Sequence, residues 1–520
     1  MIMKKGLKIL SMGLMMMMLS SCTTLNFNAL SNLLPFGNSS SDESSVTSES
    51  HGSSGSSGST SSSQSGSTTS SSGNSSSGSS SSGSTTSSGS TSSGNSSSSG
   101  STSSGSSSSS EEQEDLDKYT IMIYMCGSDL ESDNGLGTMD IQEILSVNNQ
   151  PDNVNIIIET GGASSWNSTY GISSSKLGRY HVENKKLVKE TELTYASMGL
   201  SSTFQSFLEW GLTKYPAEKT GVILWNHGGA MRGVCYDEKK SDDALLNSEV
   251  NSALKNAFSK TGRTEKLEWI GYDACLMQVQ DIAEFNSQYF NYMIGAEESE
   301  AGEGWDYDTW VDDLYAGKST PTILKAICDG FIQSYQDTYG AYYGNDQTLS
   351  YLNLSYMTEY KTAFEALASQ LKSKVSSNTS SFKNMLKNNV QCYGTSYYTK
   401  EDLSEMGIST SQAVNNYGMV YQDGYYIDYG YNYFGTFDVK DFLDNLKSNS
   451  TYSSLSSYIS NVETAFNKLV EYNKTGADAG DSNGLVMFFP MDEYCEKSTY
   501  YASSQTNFTN WRSLVSSYGA

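Results

Sequence analysis

Five apolar runs of strand length recur from Tyr119 onward: residues 119–126, 154–160, 222–226, 267–272 and 291–297. Each is apolar on both faces, a pattern suited to strands covered on both sides. Helical spacing fills the gaps. Ile141, Ile144 and Leu145 mark residues 139–147, and Phe204, Phe207, Leu208 and Leu212 mark residues 203–214. Similar patterns cover residues 244–258 and 276–285. Strand–helix alternation with right-handed crossovers predicts an α/β fold: a sandwich with a largely parallel central sheet flanked by helices. Beyond about residue 315 the text turns more helical, with candidates at 321–335, 358–374 and 452–471. Residues 484–490 read as one more strand, and the Tyr-rich stretch 417–433 reads as β-meander packing.

The first part of the chain cannot add to that core. Residues 53–110 are Ser, Gly and Thr apart from Gln64, Asn74 and Asn95. Such text has nothing to bury and predicts a disordered tether over residues 22–117, whose Ser/Gly tract, at roughly sixty to seventy residues, has an end-to-end distance of roughly 40–50 Å. Ahead of it, Lys4, Lys5 and Lys8 precede an apolar run over residues 9–19. That run is too short to span a bilayer comfortably and has the build of a signal peptide over residues 1–21. The segment Leu19-Ser20-Ser21-Cys22 resembles a bacterial lipobox. The resemblance implies acylation of Cys22 and a place in the bacterial cell envelope, outside the cytoplasm and lipid-anchored to a membrane. The folded part then divides into a core over residues 118–315 and a C-terminal α/β extension over residues 316–520 that completes the fold.

Charge narrows the partners. There are 32 Lys and Arg against 58 Asp and Glu, a net charge of −26. A chain this acidic repels phosphate backbones and favours cationic partners, so nucleic acid is excluded as an expectation. Three His and seven Cys without a CxxC pair speak against a zinc finger, an iron–sulfur cluster or a dense disulfide framework.

In open α/β sheets, ligands meet the carboxyl ends of strands. Asn226-His227-Gly228-Gly229 follows the third run, and Asp273-Ala274-Cys275 follows the fourth. If those strands are neighbours, His227 and Cys275 reach one edge. An imidazole beside a thiol can take its proton and later protonate a leaving amine. Gly228 and Gly229 allow close backbone approach, and their N–H groups suit an oxyanion hole. A helix starting at Leu276 would place Cys275 at its N-terminus and lower the thiol pKa. Taken singly, each motif reads as packing or a turn. The pair, about fifty residues apart as in caspases, reads as chemistry. A working thiol also favours an unpaired Cys275. No G-x-S-x-G elbow follows a candidate strand, which sets a serine hydrolase aside.

The blocks YTIMIYMCGSDLES, VILWNHGG, GYDACLM and GAEESEAGEGWDYD resemble the clostripain family of cysteine peptidases, in the caspase-like clan. The resemblance runs from about Lys118 to Trp310 and continues more weakly to the C-terminus. It implies a caspase-like sandwich, with His227 as general base and acid and Cys275 as nucleophile in a dyad. Gly228 and Cys275 N–H groups would form the oxyanion hole. It further implies cleavage of protein or peptide substrates after Arg or Lys, with Asp273 as the pocket acid. The alternative for Asp273 is a cap on the next helix. Glu297, Glu298 and Asp306 read better as solvated loop charges. Self-cleavage between His and Cys is expected after Lys239 or Lys240, with Arg232 and Arg263 as other candidates. No cofactor is needed for such chemistry. Calcium is left open, with no ligands assigned: the acidic loop from Asp129 to Gly135 lacks EF-hand spacing and reads as an acid-rich helix start. The competing reading is a non-catalytic surface lipoprotein that binds glycan or protein.

Overall fold

The computed structural model describes residues 116–340, 345–405, 407–415, 419–422, 424–428, 434–491 and 508–519. The expected signal peptide, Cys22, the expected tether as far as residue 115 and part of the Tyr-rich stretch lie outside the described residues.

In chain order the first strands are β1 (Asp117–Cys126), β2 (Val154–Gly161), β3 (Lys176–Glu183), β4 (Lys186–Thr194) and β5 (Ala217–Trp225). A hairpin of β6 (Val234–Asp237) and β7 (Asp243–Leu245) follows, then β8 (Leu267–Asp273), β9 (Phe290–Gly295) and β10 (Thr348–Asn353). Later come β11 (Ser396–Tyr398), β12 (Val420–Gln422), β13 (Tyr425–Asp428), β14 (Thr436–Asp438), β15 (Val470–Thr475) and β16 (Val486–Phe488). The main sheet runs β15-β10-β9-β8-β5-β1-β2-β3-β4. Its centre, β9-β8-β5-β1-β2, is parallel throughout. Antiparallel pairs extend both edges.

Side-chain alternation builds two cores. Met122, Tyr124 and Cys126 of β1 face one core with Phe204, Phe207, Val250, Leu254 and Ile282. Ile121, Ile123 and Met125 face the other with Ile141, Ile144, Trp310, Val311 and Ile323. Helices therefore cover both faces, and the central strands have no wet side. Each fully buried aliphatic side chain contributes roughly 1.5–3 kcal/mol. The five sequence-predicted strands are the five parallel ones. The edge strands lack the double-sided apolar pattern; β4 is largely exposed or half-buried. Strands β10 and β15 lie beyond residue 315 and extend the same sheet. The run at 484–490 forms β16, but outside the main sheet, paired with β14. In the Tyr-rich region, β12 and β13 join β11 in a small antiparallel sheet.

Candidate active site

Strands β5 and β8 are parallel neighbours, and Trp225 is in register with Asp273. The next residues leave the sheet side by side: Asn226-His227 from β5, Ala274-Cys275 from β8. Asn226 clamps this exit. Its backbone N–H donates to the Asp273 carbonyl (3.2 Å). Its Nδ2 donates to the Cys126 carbonyl at the end of β1 (2.7 Å), and its Oδ1 accepts from the Tyr236 N–H (2.7 Å). Gly228 passes directly over the Cys275 turn: a Cβ there would lie 2.1 Å from the Cys275 carbonyl oxygen and 2.9 Å from Met277 Cγ. Gly228 and Val234 form an antiparallel bridge, held by Gly229 N–H to the Gly233 carbonyl (2.9 Å) and Cys235 N–H to the His227 carbonyl (3.2 Å). In that pattern the Gly228 N–H points away from the bridge.

Cys275 lies in a turn, not at a helix start. The helix begins only at Gln280 and ends at Asn286. The expected activation of the thiol by a helix N-terminus is therefore corrected: Leu276 has φ 65°, and this left-handed residue breaks the path from strand to helix. The Glu300 N–H donates to Cys275 Sγ (3.3 Å), and the Glu300 carbonyl oxygen lies 3.5 Å from it. Cys275 is disulfide-bonded here, against the expectation of an unpaired sulfur. Cys126, Cys235 and Cys328 are free thiols.

His227 is nearly buried, and its Nε2 lies 2.8 Å from Asp129 Oδ1. Asp129 lies in the short helix Ser128–Asn134, just after β1. Burial pushes its carboxyl up, but the hydrogen bond and charge of His227 outweigh that and hold it below its ordinary value. Sequence reasoning treated Asp129 only as an acid at a helix start. The rule that singled out the ends of β5 and β8 applies equally to the end of β1 and could have found it. Its neighbours have other tasks. Glu131 accepts from the Thr138 N–H and Oγ1 and the Asn167 N–H, each at 2.8 Å. Among the described residues no cluster of three or more His, Cys, Asp or Glu is arranged to hold a metal. His181, the other histidine of the folded part, sits on β3 with Nδ1 2.8 Å from Glu190.

Asp273 is buried, with Oδ1 accepting from the Trp305 N–H (3.2 Å) and Oδ2 from the Tyr307 hydroxyl (2.9 Å). These bonds bind it to the GEGWDYD segment, where Gly304 at φ 63° leaves room: a Cβ there would be 2.7 Å from Asp273 Oδ1. Burial raises the Asp273 carboxyl to about 7. Burial also lifts the Glu300 carboxyl well above its ordinary value, and the adjacent Asp273 adds to this. Glu297 and Glu298 are not solvated loop charges. Glu297 is buried with its carboxyl raised, first by burial and then by Asp438. Glu298, raised to about 7 by burial, accepts from the Ser299 and Gly394 N–H groups. A rim rich in acids reads as wet from sequence, but antiparallel β10 covers it from the side of residue 348, whose Oγ1 accepts from the Glu297 N–H (3.0 Å). Asp306 is half-buried, just ahead of the helix Tyr307–Tyr315.

Lys239 and Lys240 lie in the one-turn helix Glu238–Lys240 that joins β6 to β7. Lys239 is held: its Nζ bonds the Ser174 carbonyl and sits 4.1 Å above the Tyr195 ring. Lys240 is exposed and precedes Ser241 and Asp242, both at φ 58°. Arg232 is half-buried, and Arg263 Nε donates to the Glu265 carbonyl (3.0 Å).

A nine-stranded α/β sandwich with His and Cys loops at adjacent strand ends defines a class of cysteine peptidase architecture. The comparisons agree. The model of the clostripain family matches residues 123–515, and the chain belongs to that family of cysteine proteases. Clostripain of Hathewaya histolytica is 24% identical over 450 residues, covering 76% of this chain and 78% of its own. A secreted C11 cysteine protease of Bacteroides thetaiotaomicron, iotapain, superposes with a TM-score of 0.50 at 14% identity, covering 77% of this chain and 99% of its own. That likeness concerns the fold.

Proposed function

We propose that this clostripain-family protease is an exported, lipid-anchored endopeptidase that cleaves after Arg or Lys with Cys275 and His227. The observation that carries the assignment is the Trp225–Asp273 register with Gly228 lying against the Cys275 carbonyl. An external thiol reduces this disulfide by exchange, is itself oxidised to a disulfide, and so frees the Cys275 thiol. His227 takes its proton, and the thiolate attacks the substrate carbonyl carbon. The Gly228 and Cys275 N–H groups receive the developing oxyanion. The imidazolium returns its proton to the leaving amine, and water then hydrolyses the acyl-enzyme with His227 as base.

Preference for a basic side chain is supported by the Asp273–Glu300 carboxyl pair, since Glu300 also supplies the backbone that flanks Cys275 Sγ. An ionised carboxylate at the base of a pocket is the natural partner for a cation. Self-processing is assigned to the exposed Lys240 rather than to Lys239. Anchoring rests on the Cys22 segment of the sequence.

The test is a fluorogenic peptide series varying only the residue before the cut, run under a thiol reductant on the full chain and on Cys275→Ala. Hydrolysis after Arg or Lys, lost in the variant, is expected. Cleavage confined to acidic or apolar residues would remove Asp273 from its role. Labelled palmitate should enter the protein in a bacterial host and be lost in Cys22→Ala. Failure to label the unaltered chain would refute the anchor.

A further inference from the structure

Resting on the peptidase reading of His227, we infer that Asp129 is a third member of the catalytic group. It acts as a positioning residue that fixes the His227 ring and steadies its positive form. An ionised carboxylate only accepts hydrogen bonds. With Asp129 Oδ1 2.8 Å from Nε2, that nitrogen carries the proton. The neutral ring then presents Nδ1 as the basic nitrogen. When Nδ1 takes the thiol proton, the positive ring forms beside a charge already in place, so little reorganisation is needed.

The mount for Asp129 is rigid. The Gly127 N–H donates to the Gly161 carbonyl (2.8 Å), which ties the chain to the end of β2. A Cβ on Gly127 would lie 2.9 Å from Ala163 Cβ and from the Trp166 ring. Ser128, at φ 49°, then turns the chain sharply so that Asp129 meets His227. The Glu131 N–H donates back to the Gly127 carbonyl (2.9 Å). Other charges face the pair: Asp133 from the same helix, and Glu238 and Asp242 from the β6–β7 connection. All are acids, and Asp129 lies in hydrogen-bond contact with the ring.

Two measurements test this, both on the full chain. In Asp129→Asn, kcat should fall about 10- to 100-fold while KM changes less than about twofold, with partial recovery in Asp129→Glu. Equal losses in kcat, KM and melting temperature would mean a merely structural role and would overturn the assignment. Nitrogen-15 NMR of the His227 ring in a Cys275→Ala background needs no activity. The neutral ring should carry its proton on Nε2, and adding Asp129→Ala should shift part of the population to the Nδ1 tautomer, because the acceptor that holds the Nε2 proton is gone. An unchanged tautomer balance overturns the pairing whatever the peptide series gives. A changed balance in a chain with no peptidase activity refutes the peptidase reading instead.

Discussion

A methyl group added at position 228 would sit 2.1 Å from the Cys275 carbonyl oxygen, a backbone atom that cannot rotate aside. Gly228→Ala must therefore push the His227 loop and the Cys275 turn apart. A displacement of this size is expected to lower kcat/KM on the order of 10²-fold, measurable with the basic fluorogenic peptides. Unchanged kinetics would show that the two loops need not touch. The sulfur atoms differ as sharply. Burial pushes the Cys126, Cys235 and Cys328 thiols up, so they are poor nucleophiles. After mild reduction, iodoacetamide should label Cys275 before these three, as read by peptide mass spectrometry. Faster labelling of Cys126 or Cys235 would contradict the assignment. His227 and Cys275 were legible in the sequence because each follows a strong apolar run. Asp129 was only half legible: the strand-end rule points to the close of β1, but nothing local says which of the acids there meets the ring.

The β6–β7 hairpin separates two adjacent lysines by their surroundings. Lys239 is tied to the Ser174 carbonyl and lies 4.1 Å over the Tyr195 ring, whereas Lys240, farther over the same ring at 5.6 Å, stands exposed before two left-handed residues. A peptidase needs an accessible segment, which favours the Lys240–Ser241 bond. Lys240→Ala should slow conversion to two polypeptides at least about tenfold on gels, while Lys239→Ala should leave the same cut in place. Conversion at Lys239 alone would reverse this assignment. At this scale the five parallel strands were readable because burial on both faces leaves a continuous apolar run. Strands β3 and β4 were not: β3 carries Arg179 and His181 among its apolar residues although it is mostly buried, and edge strand β4 is largely exposed or half-buried, which mixes polar residues into it.

The whole molecule stores several buried carboxyls. Burial raises Asp273, Glu298 and Glu159 to about 7 and Asp438 to about 6, against ordinary values near 4. The folded chain therefore holds more protons than the unfolded one between about pH 4 and 7. The stability from these groups is fully present below their unfolded values and is lost as pH rises through about 6 to 7. Asp129, held low, works the other way, losing its contribution only as pH falls below the ordinary carboxylate range. The melting temperature of Cys275→Ala, which cannot self-process, should thus fall by several degrees from pH 5 to pH 8 at constant ionic strength. A flat or rising curve would show that these carboxyls are ionised at little cost in the folded state.

Residue order by itself determined the α/β class, the central parallel strands and the placement of one imidazole and one sulfur just beyond strand ends, because burial on both faces and strand-end position are local patterns. Tertiary structure alone decided the rest. It brought Asp129 to His227 across about a hundred positions of chain. It covered the acid-rich rim after β9, and it withheld a helix start from Cys275. These depend on which loops meet at the sheet's edge, and such meetings are set by register and packing between distant segments, not by any short run of residues.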